Sequence, residues 1–142
     1  MEIVECNEND LPELSILWEM MVKEIFPDAS PKIDWWIDYT KSFMLHGDYK
    51  CFKAVINNII IGFIDGMLIK DPSLGKIVAA GMSYFVIKKY RGMVGARLYL
   101  KLVKEGKKRG AEMVQLICYQ NNISQWQTHN MHPHSITMAR EI

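Results

Sequence analysis

The stretch VIKKYRGMVGA, residues 86–96, decides how the rest of the chain is interpreted. It follows a β-rich run, residues 76–87, and opens a segment whose apolar residues recur at helical spacing: Val94, Leu98, Leu102 and Val103. A strand that turns directly into a helix leaves the N–H groups of the first helical turn unpaired, at the positive end of the helix dipole. Such a turn predicts a site for an anion such as a pyrophosphate.

The residue types in this turn favour the same interpretation. Gly92, Gly95 and Ala96 keep bulky side chains away from the backbone, so that an anion can approach it closely. Arg91 and Arg97 add charge-assisted donors. Two other phosphate-binding loops are excluded, because neither GxxxxGK[ST] nor GxGxxG occurs in the sequence.

Outward from the turn, periodicity predicts a single α/β (α+β) domain with a mixed, mostly antiparallel sheet flanked by helices, in the order β-α-α-β-β-β-α-β-α-β. Asn57-Asn58 suits the tight turn of a hairpin between two strands of an antiparallel meander. Residues 76–118 form a βαβ crossover, whose two strands should be parallel. We predict strands over residues 2–6, 50–56, 59–70, 76–87, 113–118 and 133–141, and helices up to residue 26, over 33–45, from the turn to 109, and from Asn121 or Asn122 to 129.

Two local patterns make sharper predictions about the helices. Asp10, followed three residues later by Glu13, resembles a capping box at the start of the first helix. Trp35 and Trp36 are adjacent on the second helix, so they cannot both face inward, and one of them should be exposed.

Composition limits the classes of partner. The 142 residues carry a formal net charge of +1, with 49% hydrophobic and 23% charged residues, which predicts a globular protein that binds neither nucleic acid nor a membrane. The longest apolar run, residues 59–69, contains Asp65 and is too short to span a bilayer. Cys6, Cys51 and Cys118 form no CxxC pair, and we interpret them as reduced thiols of a cytoplasmic protein.

The stretch Val86–Ala96 resembles the acetyl-CoA signature of the GNAT N-acetyltransferase superfamily, which reads roughly V-x-P-x-Y-R-G-x-G-x-G/A and begins a helix. Arg91 and Gly92 match, and Ala96 falls on the last small position. Lys88 stands where the signature has proline, and Val94 where it has glycine. The resemblance implies one acyl-CoA-binding domain over residues 1–142, with acetyl-CoA as the cofactor.

The resemblance also implies where the cofactor binds. The backbone of Tyr84 and Val86 would pair with the pantetheine arm where neighbouring strands splay apart, and the amides from Met93 to Arg97 would hold the pyrophosphate. The implied cofactor-binding set is Tyr84, Phe85, Val86, Arg91, Gly92, Met93, Val94, Gly95, Ala96, Arg97 and Asn122.

The catalytic groups common in this family are replaced here. Residues 79–85 carry no acid where the family often has a glutamate base, and Trp126 stands at the place of its usual tyrosine. Tyr119 is therefore the candidate acid for the departing thiolate. We expect an N-acetyltransferase that moves acetyl to a primary amine of a small molecule or protein by direct attack; the alternative is a CoA-binding or protein-interaction module without turnover.

Two further features of the C-terminal part bear on ligands and assembly. His129, His132 and His134, near Cys118, match no established metal-site spacing, so we predict no metal. A homodimer, in which a partner subunit completes the sheet edge, stays open.

Overall fold

A computed structural model describes residues 1–117, 130–133 and 138–140. Within these ranges the regular elements alternate much as the periodicity predicts, with short 3-10 turns before the first and third helices. They are β1 (Glu2–Glu5), α1 (Leu11–Ile25), α2 (Ile33–Met44), β2 (Tyr49–Ile56), β3 (Ile59–Lys70), β4 (Ile77–Val86), α3 (Met93–Lys108) and β5 (Met113–Leu116).

The five strands form one sheet in the order β1-β2-β3-β4-β5. The first four strands pair antiparallel, and β4 pairs parallel with β5 across the α3 crossover, which confirms the predicted meander and βαβ unit. Asn57 and Asn58 both have positive φ, 49° and 63°, as the tight β2–β3 hairpin requires. The mixed sheet flanked by helices is thus confirmed.

Each face of the sheet is covered by a different helical layer. On one face α1 and α2 pack through side chains such as Leu14, Leu17 and Trp36 against Phe63 and Phe85. On the other face α3 packs against β2, β3 and β4 through Val94, Leu98 and Leu102. Alternation along β3 and β4 therefore assigns each residue of these strands to one helical layer.

The tryptophan prediction is confirmed and the capping prediction is wrong. Trp36 is 5% exposed, whereas Trp35 is 58% exposed. Asp10 makes no side-chain cap on α1, because its carboxylate binds Lys53 (2.5 Å) and the Asn7 N–H (2.9 Å). Glu13 instead accepts a hydrogen bond from the Ile60 N–H (3.0 Å), which ties α1 to the start of β3.

The end of the chain lies largely outside the described residues. The helix predicted up to residue 129 falls entirely in the range 118–129, which is not described. Of the strand predicted over 133–141, residues 133 and 138–140 are described and have no regular secondary structure. None of the helices in the described ranges has the length and apolar character needed to cross a membrane.

Candidate active site

The start of α3 presents open backbone donors. Gly92 precedes the helix with φ 101°, a conformation that favours glycine, and makes no side-chain cap. The N–H of Ala96 donates to the Gly92 carbonyl at 3.1 Å and closes the first helical turn. Within the described part of the chain, the amides left for an anion are therefore those of Met93, Val94 and Gly95.

Gly95 is required by a close approach from β4. A Cβ atom built on Gly95 would overlap the hydroxyl oxygen of Tyr84. Tyr84 belongs to the α3 face of the sheet, and burial raises its pKa. The Tyr84 side chain thus packs under the first turn of α3, which only a residue without a side chain permits.

Beside this turn, β4 runs past the end of its pairing with β5. The parallel pairing stops at Gly81–Leu116, although β4 continues to Val86. Because the Ile87 N–H donates to the Ile61 carbonyl of β3 (2.9 Å), alternation turns the backbone groups of Val86 and Tyr84 toward the opposite edge. The described residues therefore leave a gap along β4 that ends beside the first turn of α3.

Phe85 and Arg97, also predicted to bind cofactor, lie to either side of these backbone groups. The Phe85 side chain is buried in the α1–α2 layer, and Phe85 pairs with Phe63 of β3. Arg97 is exposed on the first turns of α3. Of these two side chains, only that of Arg97 is accessible to an anion at the helix start.

Arg91 is held by partners that the sequence does not predict. Its Nε donates to the Val86 carbonyl (2.9 Å), and its guanidinium pairs with Glu24 of α1 (2.6 Å) and lies over the Phe85 ring. The hydrogen bond from Arg91 lowers the pKa of Glu24. Arg91 therefore fixes the turn against α1 and β4, and the phosphate contact expected of it stays a prediction.

Asp65 is a buried carboxylate that sequence reasoning missed. It lies on β3 with 4% exposure, and it accepts hydrogen bonds from the Tyr49 hydroxyl (2.7 Å) and the Ser83 N–H (2.6 Å). Burial raises the pKa of Asp65 to about 6, against the effect of these donors. The only signal in the sequence is an acid within an apolar strand, which we interpreted solely as a break in a hydrophobic run.

Asp65 sits opposite a β-bulge in β4. Asp65 pairs with Ser83 whereas Gly66 pairs with Gly81, so Met82 is an extra residue in β4. A bulge re-aims side chains and ends regular pairing, and here it coincides with the point where β5 stops pairing. The gap along β4 therefore closes beside Met82 and Ser83.

Two thiols and a cavity lie between Asp65 and β1, on the same side of the sheet. The Cys6 N–H donates to the Cys51 carbonyl (2.8 Å), and both cysteines are free. Contact with the Cys6 thiol, together with burial, raises the pKa of Cys51. A cavity of about 290 Å³ opens here; Tyr49, Cys6 and Cys51 are among its lining residues.

Several predicted residues lie outside the described ranges. They are Tyr119, Asn122, Trp126, His129, His134 and Cys118. Of the proposed histidine cluster only His132 is described, and the described ranges hold no group of three His, Cys, Asp or Glu side chains suited to a metal ion. The absence of a metal therefore stays a prediction.

Comparison with known proteins identifies the fold and the family. A comparison with curated protein sequences gives no match. The chain superposes on the tetramutant of the BH1408 protein from Bacillus halodurans with a TM-score of 0.84, 16% identity and 100% of both chains covered. It superposes on glucosamine-6-phosphate N-acetyltransferase from Arabidopsis thaliana with a TM-score of 0.77, 16% identity and coverage of 99% of this chain and 97% of that one.

A third structure is an aminoglycoside acetyltransferase from an uncultured soil metagenomic sample in complex with sisomicin, with a TM-score of 0.74, 15% identity and coverage of 99% and 95%. These likenesses establish the fold. The family model described as acetyltransferase (GNAT) family matches residues 13–132, most of the chain. Because this match covers most of the described residues, the chain belongs to the GNAT acetyltransferase family.

Proposed function

We propose that this protein transfers an acetyl group from acetyl-CoA to a primary amine, by direct attack of the amine on the thioester. The observation that carries the proposal is the uncapped start of α3 beside the part of β4 that extends past its pairing with β5. The start of α3 offers backbone donors to a pyrophosphate, and the edge of β4 offers backbone groups to an amide-bearing arm. Together they suit coenzyme A.

Fewer backbone amides are available to such a ligand than the sequence predicts. The amides of Met93, Val94 and Gly95 would hold the pyrophosphate, since the Ala96 amide is already used within the helix. The backbone of Tyr84 and the N–H of Val86 would pair with the pantetheine arm, whereas the Val86 carbonyl already accepts a hydrogen bond from Arg91. Asn122 belongs to the proposal but lies outside the described residues.

Catalysis would rest first on positioning. Acetyl-CoA supplies an activated acyl group, and the chain must hold that group still and exclude water from it. Backbone donors near the closed end of the gap would polarise the thioester carbonyl. Tyr119 stays the proposed acid for the departing sulfur, although it lies outside the described residues.

The acceptor is proposed to be a primary amine of a small molecule or protein. Two structural neighbours are named for glucosamine-6-phosphate and aminoglycoside substrates, which supports an amine without identifying it. The cytoplasmic location and the homodimer stay predictions.

The test is linkage between acetyl-CoA binding and folding stability. At a hundredfold excess over its Kd, acetyl-CoA should raise the free energy of unfolding by about 2.7 kcal/mol. Met93→Pro removes one amide at the first helical position, which tolerates proline. A bond to a charged oxygen contributes about 1.5–3 kcal/mol, so Kd should rise at least about tenfold and the gain fall to about 1.4 kcal/mol or less.

Met93→Ala is the matched control, because it shortens the same exposed side chain and keeps the amide. It should leave the acetyl-CoA gain unchanged. An equal loss in both variants would contradict the assigned donors, and no gain in the wild type at millimolar acetyl-CoA would refute the cofactor. A normal gain without release of CoA thiol in the presence of any amine would favour the binding module.

A further inference from the structure

A hydrogen-bonded row of polar side chains crosses the α1–α2 face of the sheet. Ser83 of β4, Asp65 of β3 and Cys51 of β2 are cross-strand neighbours. Asp65 accepts hydrogen bonds from the Ser83 N–H and the Tyr49 hydroxyl. The Ser83 side chain lies on the same face of the sheet as Asp65, because the two residues are direct cross-strand partners. A buried carboxylate is thus connected to a half-buried serine at one end and to a cavity at the other.

The serine end of this row lies where the proposed reaction would take place. The gap along β4 closes where pairing with β5 begins, at Gly81, and Ser83 is two residues away across the bulge. The α3 face of the sheet is occupied by Leu98 and Leu102. An amine that reaches the closed end of the gap would therefore approach from the α1–α2 face, to which Ser83 and Asp65 belong.

We propose that Asp65, acting through the Ser83 hydroxyl, accepts the proton that the amine must lose before it attacks acetyl-CoA. This inference rests on the proposed function. It identifies an acid–base group on β3, although the strand that precedes the signature has no acid. Tyr49 stabilises the carboxylate and connects it to the cavity, through which the proton returns to solvent.

Protons and electron pairs balance in this transfer. The ammonium gives one proton to the Ser83 oxygen while the hydroxyl proton of Ser83 passes to Asp65. The nitrogen lone pair forms the C–N bond, and the C–S electron pair leaves with the sulfur. The sulfur takes the second proton of the nitrogen, so the products are an amide, a thiol and a neutral Asp65.

The surroundings of Asp65 suit a group that must titrate. On β2 it faces Tyr49 and Cys51, whose pKa values are both raised, so that both are neutral at pH 7, and the Cys6 thiol lies beyond them. On β4 it faces Ser83. The helices above contribute apolar side chains to the same cluster, including Leu14, Leu17 and Trp36. Burial holds the pKa of Asp65 at about 6, so the carboxylate is ionised at neutral pH but close to its midpoint.

The experiment is the pH profile of kcat/KM for CoA-thiol release, with acetyl-CoA and the fastest acceptor among lysine-containing peptides and alkyl diamines. The kcat/KM of the wild type should rise tenfold per pH unit below about pH 6 and then stay level to about pH 9, because the ammonium form of the acceptor binds and Asp65 takes its proton. Asp65→Asn should lose the plateau and climb tenfold per unit to pH 9, because only the neutral amine, about one molecule in 2,500 at pH 7, then reacts.

Two milder variants keep the proposal testable if Asp65→Asn fails to fold. Ser83→Ala retains the N–H bond to Asp65 and should lose the plateau in the same way. Tyr49→Phe removes a donor that lowers the pKa of Asp65, so the acid limb should move to higher pH while the plateau remains. Asp48→Asn, the same chemical change at an exposed site, should keep the wild-type profile.

The outcomes separate the two proposals. Turnover that climbs through pH 9 in the wild type, or a plateau that survives in Ser83→Ala or in folded Asp65→Asn, overturns the role of Asp65 and leaves the transferase intact. Absence of thiol release from wild type with every amine overturns both.

Discussion

The contact between Gly95 and Tyr84 predicts that Gly95→Ala lowers the free energy of unfolding when the Tyr84 hydroxyl is present, but not when it is removed. Gly95→Ala places a methyl group on the Tyr84 hydroxyl oxygen, and such overpacking typically costs about 1–3 kcal/mol. Against this, alanine is favoured over glycine within a helix by about 0.5–1 kcal/mol, and by less in the first turn. We therefore expect Gly95→Ala to lower the free energy of unfolding by about 1–2 kcal/mol.

Removing the hydroxyl should reverse the effect. In Tyr84→Phe the nearest atom to the new methyl group is the ring Cζ at 3.2 Å, which is closer than ordinary van der Waals contact and requires the ring to move by a few tenths of an ångström. In that background Gly95→Ala should be neutral or stabilising by up to about 1 kcal/mol. The interaction free energy of the double-mutant cycle should then be at least about 1 kcal/mol.

Urea denaturation of the four proteins measures this cycle. With an m-value of about 1–3 kcal/mol/M, the urea midpoint of Gly95→Ala should fall by about 0.3–2 M in the wild-type background only. Gly47→Ala is the control, since its added Cβ has no atom within 4 Å, and it should change stability by less than about 0.5 kcal/mol. Equal effects of Gly95→Ala in both backgrounds would refute the assigned contact.

Two further predictions concern protons. Burial raises the pKa of Asp65 from 3.8 to about 6, so between these values the folded state binds the proton more tightly and stability falls as pH rises, by up to about 3 kcal/mol. Asp65→Asn should flatten the pH dependence of the unfolding free energy between pH 4 and 6; an unchanged slope would contradict the burial. If Tyr119 protonates the departing sulfur, Tyr119→Phe should lower kcat about 10²-fold with KM for acetyl-CoA nearly unchanged, and a loss below about threefold would remove it from the mechanism.

Local chemistry was enough to predict the framework of this protein. The β2–β3 hairpin follows from Asn57-Asn58, which tolerate positive φ, and the start of α3 from Gly92, which adopts φ 101°. The exposed Trp35 follows from helical geometry alone. These features depend on residues within one turn or one strand, where steric and periodic rules act directly on the sequence.

These local rules did not predict which residue a given polar side chain binds. Asp10 was predicted to cap α1 but binds Lys53, and Arg91 pairs with Glu24, a partner 67 residues away that no local pattern indicates. Each choice depends on which strand or helix comes to lie alongside. Sequence periodicity says which face a residue occupies but not which neighbour it meets there.

Asp65 shows the limit most clearly. In the sequence it only interrupts an apolar run, and its partners Tyr49 and Ser83 lie 16 and 18 residues away on either side. Register across three strands, together with a one-residue bulge in β4, brings these groups together under an apolar helical layer. The sequence by itself determined the elements and the glycine-containing turn at the start of α3, because those are local. Only the tertiary structure decided that a buried carboxylate stands beside the closed end of the gap along β4, because burial and strand register are properties of the assembled sheet.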